Sequence, residues 1–291
     1  MKKILIALLL PCALLAQTKP RNPIAPSGSW VDGLVRAYLF SWQDSVKADS
    51  VQDWSSNNVW GIIVNAGSWT SATDGVHTPV WTLSGSNDYM QAGSVSGFAI
   101  TDSLSIFGVF NDVNSGSGNE PLAFVNRSLT PEQTLRFRDD DGAHPFDWQF
   151  GVYTSSMIEC TVDSIVVDGG SPHTAFFSML GIYDGVNVSG YRDGILQSQS
   201  AQTGDIILGN RNFEIGRSSN GSGLFSFWTN GIVSAVYLWN RVLTTEEIAA
   251  LAADPYIMFR EPVASGRKRK KPIWWSEYHE KDFIDWLLAL R

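Results

Sequence analysis

The sequence has little cysteine: Cys12 and Cys160 are its only two in 291 residues. Two cysteines cannot build the disulfide framework that stabilises small secreted domains, so stability must come from the size of the core. Hydrophobic residues make up 44% of the chain, including 12 Trp and 15 Phe. The composition therefore fits one large β domain or two ordinary ones.

Positive charge is scarce in the middle of the chain. Residues 27–260 carry 10 basic and 24 acidic side chains, a net charge of −14, whereas residues 1–26 carry +4 and residues 261–291 carry +2. These segments sum to the formal net charge of −8. A domain this acidic repels a phosphate backbone, which argues against nucleic-acid binding by the domain.

The N-terminal apolar segment lacks the length of a membrane span. Two lysines precede a run from Ile4 to Ala16, which is shorter than the roughly 20 residues that a helix needs to cross a bilayer. This pattern predicts a signal peptide over residues 1–16, cleaved after Ala16, and a secreted or cell-surface protein. An uncleaved anchor and a lipoprotein modified at Cys12 are the alternatives.

Helices are also few, and short strands with turns fill most of the chain. The pairs Asp184-Gly185 and Asp193-Gly194 each separate two apolar stretches, which predicts β-hairpins. About 12 to 14 strands are expected, and they indicate an antiparallel sandwich because so few helices cannot cover a parallel sheet. Strands are predicted at residues 33–42, 59–64, 104–110, 122–125, 135–138, 148–153, 164–167, 174–183, 188–192 and 231–239, with two more on either side of a turn within 79–91.

The clearest local organisation lies near the end of this region. The run Gly231 to Trp239 is rich in β-branched and aromatic residues, which predicts a strand. Thr244 or Thr245 then caps a helix over residues 246–253 whose first turn holds two acids, where the helix dipole favours them. Asp254-Pro255 ends this helix.

Two segments of different composition flank the domain. Residues 17–29 hold three prolines among small polar residues and are expected to form an extended linker. Residues 260–291 combine the basic run Arg267–Lys271 with apolar residues at helical spacing from Phe283 onward, which predicts a C-terminal amphipathic helix. This tail could contact an anionic membrane surface or dock on a protein assembly. The alternative is a solvated linker with a helix that packs on the domain.

Five pieces of sequence, taken in order, carry a resemblance to a known family. They are Gly33–Phe40, Leu83–Met90, Gly181–Ile195, Phe213–Arg217 and Gly231–Leu251. Together they resemble the laminin-G-like jelly rolls of the concanavalin A-like lectin/glucanase superfamily, over residues 30–259. The resemblance implies an all-β, two-sheet antiparallel jelly-roll sandwich with a short helix near the end of the domain, followed by the C-terminal amphipathic helix.

The resemblance also implies a Ca²⁺ site, because laminin-G-like domains often hold calcium with loop carboxylates. The densest acidic loop contains Asp139, Asp140 and Asp141, with Asp147 nearby. Carboxylate oxygens suit this hard cation, so these four residues are the candidate ligands. The alternative is a solvated turn. His144 adds no zinc site, because no second His or Cys lies near it in sequence.

Tryptophans beside turn residues indicate carbohydrate binding. Trp54, Trp69, Trp148 and Trp228 lie next to such residues, and exposed indole rings stack on the apolar faces of sugars. The alternative is that each ring fills the core of a large sandwich.

Catalysis has weaker support in the sequence. Part of the superfamily resembles retaining glycosidases, which need two carboxylates about 5 Å apart. Glu159 and Asp163 show the spacing of one strand face, and the alternative is two solvent-facing acids on a strand edge. No Gly-x-Ser-x-Gly motif precedes a helix. No catalytic residue is therefore assigned.

The sequence thus predicts a non-catalytic module that binds a polysaccharide, another glycan or another surface in adhesion. One alternative is a structural or attachment subunit of a phage particle or cell-envelope assembly, with residues 260–291 as its docking element. A glycoside hydrolase is the other, since the fold alone does not choose among these functions.

Overall fold

A computed structural model describes the chain at residues 26, 28–40, 46–47, 49–65, 68–70, 80–84, 87–94, 97–112, 123–125, 135–140, 147–163, 176–208, 212–219, 225–228 and 230–260. It describes the backbone alone at the strand residues 46–47, 68–70, 80, 112, 123–125, 135–140, 147–148, 161–163, 218–219, 225–228 and 230. The chain divides into two compact units, Met1–Phe259 and Arg260–Arg291. All features below belong to the first unit. The predicted signal peptide and the predicted C-terminal helix lie outside the described residues.

The described residues form 19 strands and one α-helix. In chain order the strands are β1 (Leu34–Leu39), β2 (Val46–Lys47), β3 (Ser50–Val51), β4 (Gly61–Val64), β5 (Ser68–Thr70), β6 (Val80–Ser84), β7 (Tyr89–Ser94), β8 (Leu104–Asp112), β9 (Ala123–Val125), β10 (Leu135–Asp140), β11 (Asp147–Tyr153), β12 (Met157–Asp163), β13 (Phe177–Tyr183), β14 (Asn187–Arg192), β15 (Ile195–Ala201), β16 (Asn212–Ile215), β17 (Arg217–Ser219), β18 (Phe225–Trp228) and β19 (Asn230–Trp239). Helix α1 spans Thr245–Ala253, and short 3-10 helices span Gly28–Val31 and Ile257–Phe259.

These strands form two large antiparallel sheets. The eight-stranded sheet has the order β15-β14-β13-β8-β19-β6-β5, with β1 also paired to β19. The nine-stranded sheet has the order β12-β11-β10-β9-β16-β7-β4-β3-β2, and β17 pairs with β18 in a small hairpin. The predicted all-β jelly-roll sandwich is thereby confirmed.

Two hydrophobic cores lie on opposite faces of the eight-stranded sheet. The inner core joins the two sheets and includes Trp81, Leu83, Met90, Phe110, Phe150, Phe213 and Val236. The second core packs helix α1 and the following segment on the outside of the sheet, and includes Phe107, Tyr237, Trp239, Ile248, Leu251, Tyr256 and Phe259. All six residues of β1 are buried because both of its faces are covered. This explains why β1, apart from Arg36, and β19 carry apolar residues at consecutive positions instead of alternating ones.

Hydrogen bonds to Glu247 fix the start of helix α1. Thr244 is the N-cap: its hydroxyl accepts from the Glu247 backbone N–H, and the Glu247 carboxylate accepts from the Thr244 N–H at 3.0 Å. The same carboxylate accepts from Arg241 Nη1 at 2.7 Å and from Nη2 at 2.9 Å. Burial opposes the charge on Glu247, but the hydrogen bonds from Arg241 and Thr244 outweigh it and lower the pKa of Glu247.

Replacing Glu247 with Gln is expected to lower the free energy of unfolding by about 1–3 kcal/mol at pH 7, because charged hydrogen bonds are lost. A lowered pKa stabilises the fold above the unfolded-state value of about 4.3, and this contribution is lost as the pH falls through the folded-state value. The difference between wild type and Glu247→Gln should therefore shrink below pH 4, as measured by urea denaturation across pH. Glu246→Gln, which alters an exposed acid in the same turn, is the control. An equal effect of both variants would contradict the account.

The two predicted Asp-Gly hairpins are confirmed. Asp193 and Gly194 join β14 to β15 with φ values of 47° and 77°, the positive values that a type I′ turn requires. Asp184 and Gly185 lie in the turn between β13 and β14, where the Asp184 carboxylate accepts from the backbone N–H of Val186 at 2.9 Å.

The strands predicted within residues 79–91 and at residues 164–167 differ in outcome. The two strands predicted within residues 79–91 exist as β6 and β7, but β6 belongs to the eight-stranded sheet and β7 to the nine-stranded sheet. The turn between them therefore carries the chain from one sheet to the other. The strand predicted at residues 164–167 lies outside the described residues. Within the described part of the chain, no helix combines the length and apolar character that crossing a bilayer requires.

Candidate functional site

The outer face of the nine-stranded sheet, which points away from the inner core, presents a polar surface. Along β7, Met90 and Ala92 are buried in the inner core, whereas Tyr89 and Gln91 alternate with them and are half-buried. The same alternation on β4 leaves Ile62 53% exposed. This face is therefore accessible to a ligand from solvent.

One row of paired residues crosses almost the whole outer face. Its register is Ser50, Ile62, Gln91, Glu214, Phe124, Arg136, Gly151 and Glu159, each opposite the next on the neighbouring strand. Directly paired residues of an antiparallel sheet share a face. The pairing thus places amide, carboxylate and guanidinium residue types on one surface, although only the backbone is described at Phe124 and Arg136.

The best-defined cluster on this face joins Tyr89, Glu214 and Arg217. Arg217 donates from Nε to Glu214 Oε2 at 3.0 Å and from Nη2 to Glu214 Oε1 at 2.6 Å, a two-pronged ion pair. The Arg217 guanidinium carbon lies 3.4 Å from the centroid of the Tyr89 ring, close enough for a cation–π contact. The ion pair and the ring hold the Glu214 carboxylate in one orientation.

Two amide side chains extend this cluster. Asn212 is exposed on β16, and its Nδ2 donates to Oε1 of half-buried Gln91 on β7 at 3.4 Å. A primary amide carries two N–H donors and a carbonyl acceptor. Gln91, Asn212 and Glu214 therefore present donors and acceptors side by side on two adjacent strands. We call Tyr89, Gln91, Asn212, Glu214 and Arg217 the polar cluster.

Gly151 on β11 leaves space above the sheet backbone beside the edge strand β12. A methyl group on Gly151 would lie 2.8 Å from Glu159 Cγ and 3.0 Å from Met157 Sδ, so both side chains lie over the glycine backbone. Gly151 thus lets the β12 side chains lie flat along the sheet.

The two acids of this row, Glu214 and Glu159, are not arranged as a glycosidase pair. Four strand spacings of about 4.8 Å separate Glu214 from Glu159, about 19 Å in all, whereas the carboxylates of glycosidases lie about 5–9.5 Å apart. On β12 the register shifts between the pairs Gln149–Thr161 and Trp148–Asp163. This irregularity interrupts the alternation that suggested one shared face for Glu159 and Asp163.

Cys160 faces the other way, into the inner core. Burial raises the pKa of the Cys160 thiol to about 12, so almost no thiolate exists at neutral pH and the thiol is a poor nucleophile.

The structure brings the backbones of three of the four candidate calcium ligands together. Asp140 on β10 lies directly opposite Asp147 on β11, and Asp139 precedes Asp140 on the same strand. Asp141 lies outside the described residues, as do the side chains of the other three. Among the side chains that are described, no group of three or more His, Cys, Asp or Glu could hold a metal ion. The calcium site stays a prediction.

The four candidate tryptophans are dispersed. Trp54 is half-buried against the second core, with its ring edge-on to Phe259 at a centroid distance of 6.3 Å. Trp69 lies opposite Trp81 on the eight-stranded sheet, Trp148 lies opposite Asp139, and Trp228 lies opposite Arg217. Their side chains, apart from that of Trp54, are outside the described part. Sugar binding by these four residues stays a prediction.

Sequence reasoning missed the polar cluster. Alternation along Asn212, Phe213, Glu214 and Ile215 signals a strand with one polar face. That this face adjoins Tyr89 and Gln91 follows only from the pairing of β16 with β7, which joins segments distant in sequence.

Comparison with known families identifies the fold. The profile of the concanavalin A-like lectin/glucanases superfamily matches residues 84–249, which is 166 of the 291 residues. The chain belongs to this superfamily. The matched region of this concanavalin A-like domain runs from the end of β6 into helix α1 and includes all five residues of the polar cluster.

Solved structures with the same fold include enzymes and binding domains. Trypanosoma rangeli sialidase in complex with sialic acid is 16% identical, with a TM-score of 0.56 over 84% of this chain and 36% of the sialidase. Domain 4 of AbnA, a GH43 extracellular arabinanase from Geobacillus stearothermophilus solved with arabinotriose, is 14% identical, with a TM-score of 0.54 over 75% of this chain and 98% of that domain. The receptor-binding domain of a botulinum neurotoxin C/D mosaic serotype is 11% identical, with a TM-score of 0.57 over 76% of this chain and 51% of that one.

These likenesses establish the fold alone, because the identities are low. The concanavalin A-like domain spans about a third of the length of the sialidase that it matches. No curated protein matches the chain in sequence.

Proposed function

We propose that this concanavalin A-like domain is a non-catalytic module, secreted or exposed at a surface, that binds glycans on the outer face of its nine-stranded sheet. The observation that carries the proposal is the polar cluster. It combines two amides, an oriented carboxylate and an aromatic ring on a surface that solvent reaches. Sugar hydroxyls both donate and accept hydrogen bonds, and such planar polar groups match them in pairs.

Two further observations support binding in place of catalysis. The two acids of the row, Glu214 and Glu159, lie too far apart to act together as a glycosidase pair, and the Cys160 thiol is buried and protonated. Among the structural neighbours, domain 4 of the extracellular arabinanase matches over almost its whole length and was solved with an oligosaccharide. A single domain of this fold can therefore carry a bound sugar chain.

The test is retention of the full chain on immobilised polysaccharides, with wild type compared with the double variant Gln91→Ala, Asn212→Ala. Loss of two amides from the site is expected to weaken binding about tenfold, since each hydrogen bond contributes about 0.5–1.5 kcal/mol. Gln197→Ala is the control, because Gln197 is also an exposed strand glutamine but lies on β15 of the other sheet.

Three results would contradict the proposal. One is that wild type binds no polysaccharide, and another is that the double variant binds as tightly as wild type. The third is release of reducing sugar by the purified chain, which would indicate a hydrolase.

Calcium at the hairpin of β10 and β11 is a subsidiary proposal. Asp140 and Asp147 lie opposite each other at the end of this hairpin, and carboxylates are suitable ligands for a hard cation. The binding test is run with calcium and then with chelator. A calcium site would be supported if chelator lowers the retention of wild type but does not change the retention of Asp140→Asn. Unchanged retention would mean that binding does not use calcium.

A further inference from the structure

We infer that the outer face selects uncharged sugars, and that Glu214 sets this selection by occupying the guanidinium of Arg217. The inference rests on the proposed glycan-binding function and names its substrate class. Its starting point is that acidic sugars, such as uronic acids, carry a carboxylate, which proteins bind most effectively with the two-pronged fork of arginine.

Arg217 is the only guanidinium on the outer face whose side chain the structure describes, and its fork is already engaged. Nε and Nη2, one of the two donor pairs with which an arginine can hold a carboxylate, both donate to Glu214, at 3.0 and 2.6 Å. The guanidinium carbon of Arg217 lies over the Tyr89 ring, 3.4 Å from its centroid. Arg217 is 8% exposed in total, and a ligand carboxylate could use the Nε/Nη2 edge only by displacing Glu214.

The charge of the domain also disfavours acidic sugars. Among the described side chains of the row and the polar cluster, Glu214 and Glu159 are acids and Arg217 is the one base, a net formal charge of −1. Residues 27–260 as a whole carry −14, so an anionic polymer approaching the domain is repelled at low ionic strength. A neutral glycan meets neither obstacle and can use the hydrogen bonds of Gln91 and Asn212.

The test compares neutral and acidic polysaccharides on the full chain at low salt. Arabinan and galactan are the neutral probes, and polygalacturonate and alginate are the acidic ones. Wild type is expected to be retained by at least one neutral probe and by neither acidic probe. Glu214→Gln keeps the shape of the side chain but weakens its hold on Arg217. This variant is expected to gain about tenfold in retention by polygalacturonate, a gain that 0.5 M salt removes.

Two further variants distinguish two explanations of such a gain, release of the Arg217 guanidinium and a change in the net charge of the face. Glu159→Gln removes the same charge from the same row without touching Arg217, and it should not gain retention. The double variant Glu214→Gln, Arg217→Met should lose the gain. Thermal denaturation of each variant checks that it is folded.

The outcomes distinguish this inference from the proposed function. Three results would each overturn the inference: retention of wild type by polygalacturonate, no gain of retention in Glu214→Gln, and an equal gain in Glu159→Gln. In all three cases, retention of wild type by a neutral probe would leave the proposed function standing. Failure of every probe to retain wild type would overturn both.

Discussion

Replacing Asp53 with Ala is expected to lower the free energy of unfolding by about 3–5 kcal/mol, the usual cost of removing one partner of a buried charge pair. Asp53 is 1% exposed and lies 3.8 Å from the buried guanidinium of Arg36. Its carboxylate also accepts hydrogen bonds from the backbone N–H groups of Ala37, Ser55 and Val59 at 2.9 to 3.1 Å. Without Asp53, these backbone donors lose their acceptor and the buried Arg36 charge loses its counter-ion.

Urea denaturation followed by fluorescence measures this effect. Asp205→Ala is the matched control, because Asp205 is exposed, and its effect should stay within about 0.5 kcal/mol. Adding Arg36→Met to Asp53→Ala should recover part of the loss, since removing both members of a buried pair is less costly than removing one. A loss below 1 kcal/mol for Asp53→Ala would show that water satisfies these groups and that Asp53 does not organise the segment after β1.

Replacing Phe150 with Ala is expected to lower the free energy of unfolding by a similar amount, about 3–5 kcal/mol. Phe150 on β11 is fully buried in the inner core. A methyl group on Gly181 of β13 would overlap the Phe150 ring atoms, so the ring packs directly on the backbone of the opposite sheet. Phe150 therefore contributes to the contact between the two sheets of the sandwich.

The contact with Gly181 gives this prediction an internal check. Gly181→Ala alone should destabilise by about 1–3 kcal/mol through overpacking, but it should cost much less in the Phe150→Ala background, where space for the methyl group exists. Gly97→Ala is the control, because nothing lies within 4 Å of a methyl group there. Additive effects of the two substitutions would mean that Phe150 and Gly181 are not in contact.

Features set by neighbouring residues were predictable from the sequence. The positive φ values of Asp193 and Gly194 follow from the residue types that a tight hairpin needs, and a threonine cap at residue 244 or 245 follows from the acids of the first helical turn. The choice between Thr244 and Thr245 could not be made from the sequence alone. It depends on the Glu247 carboxylate, which Arg241 orients.

Features that depend on the arrangement of strands were not predictable. A Gly/Asn/Asp turn joins β6 and β7, yet these strands enter different sheets, because each buries its apolar residues on a different side of the inner core. The ion pair of Glu214 and Arg217 is local, but the Tyr89 ring beneath it comes from β7. A sequence pattern reports which residues alternate along one strand and not which strand lies beside it.

The most direct test of the glycan-binding account is a crystal structure of the full chain with the neutral oligosaccharide that it retains most strongly. The account predicts sugar density over the outer face of the nine-stranded sheet, with hydroxyl groups within hydrogen-bond distance of Gln91, Asn212 and Glu214. Sugar density at the end of the β10–β11 hairpin or on the eight-stranded sheet, with the outer face bare, would contradict it.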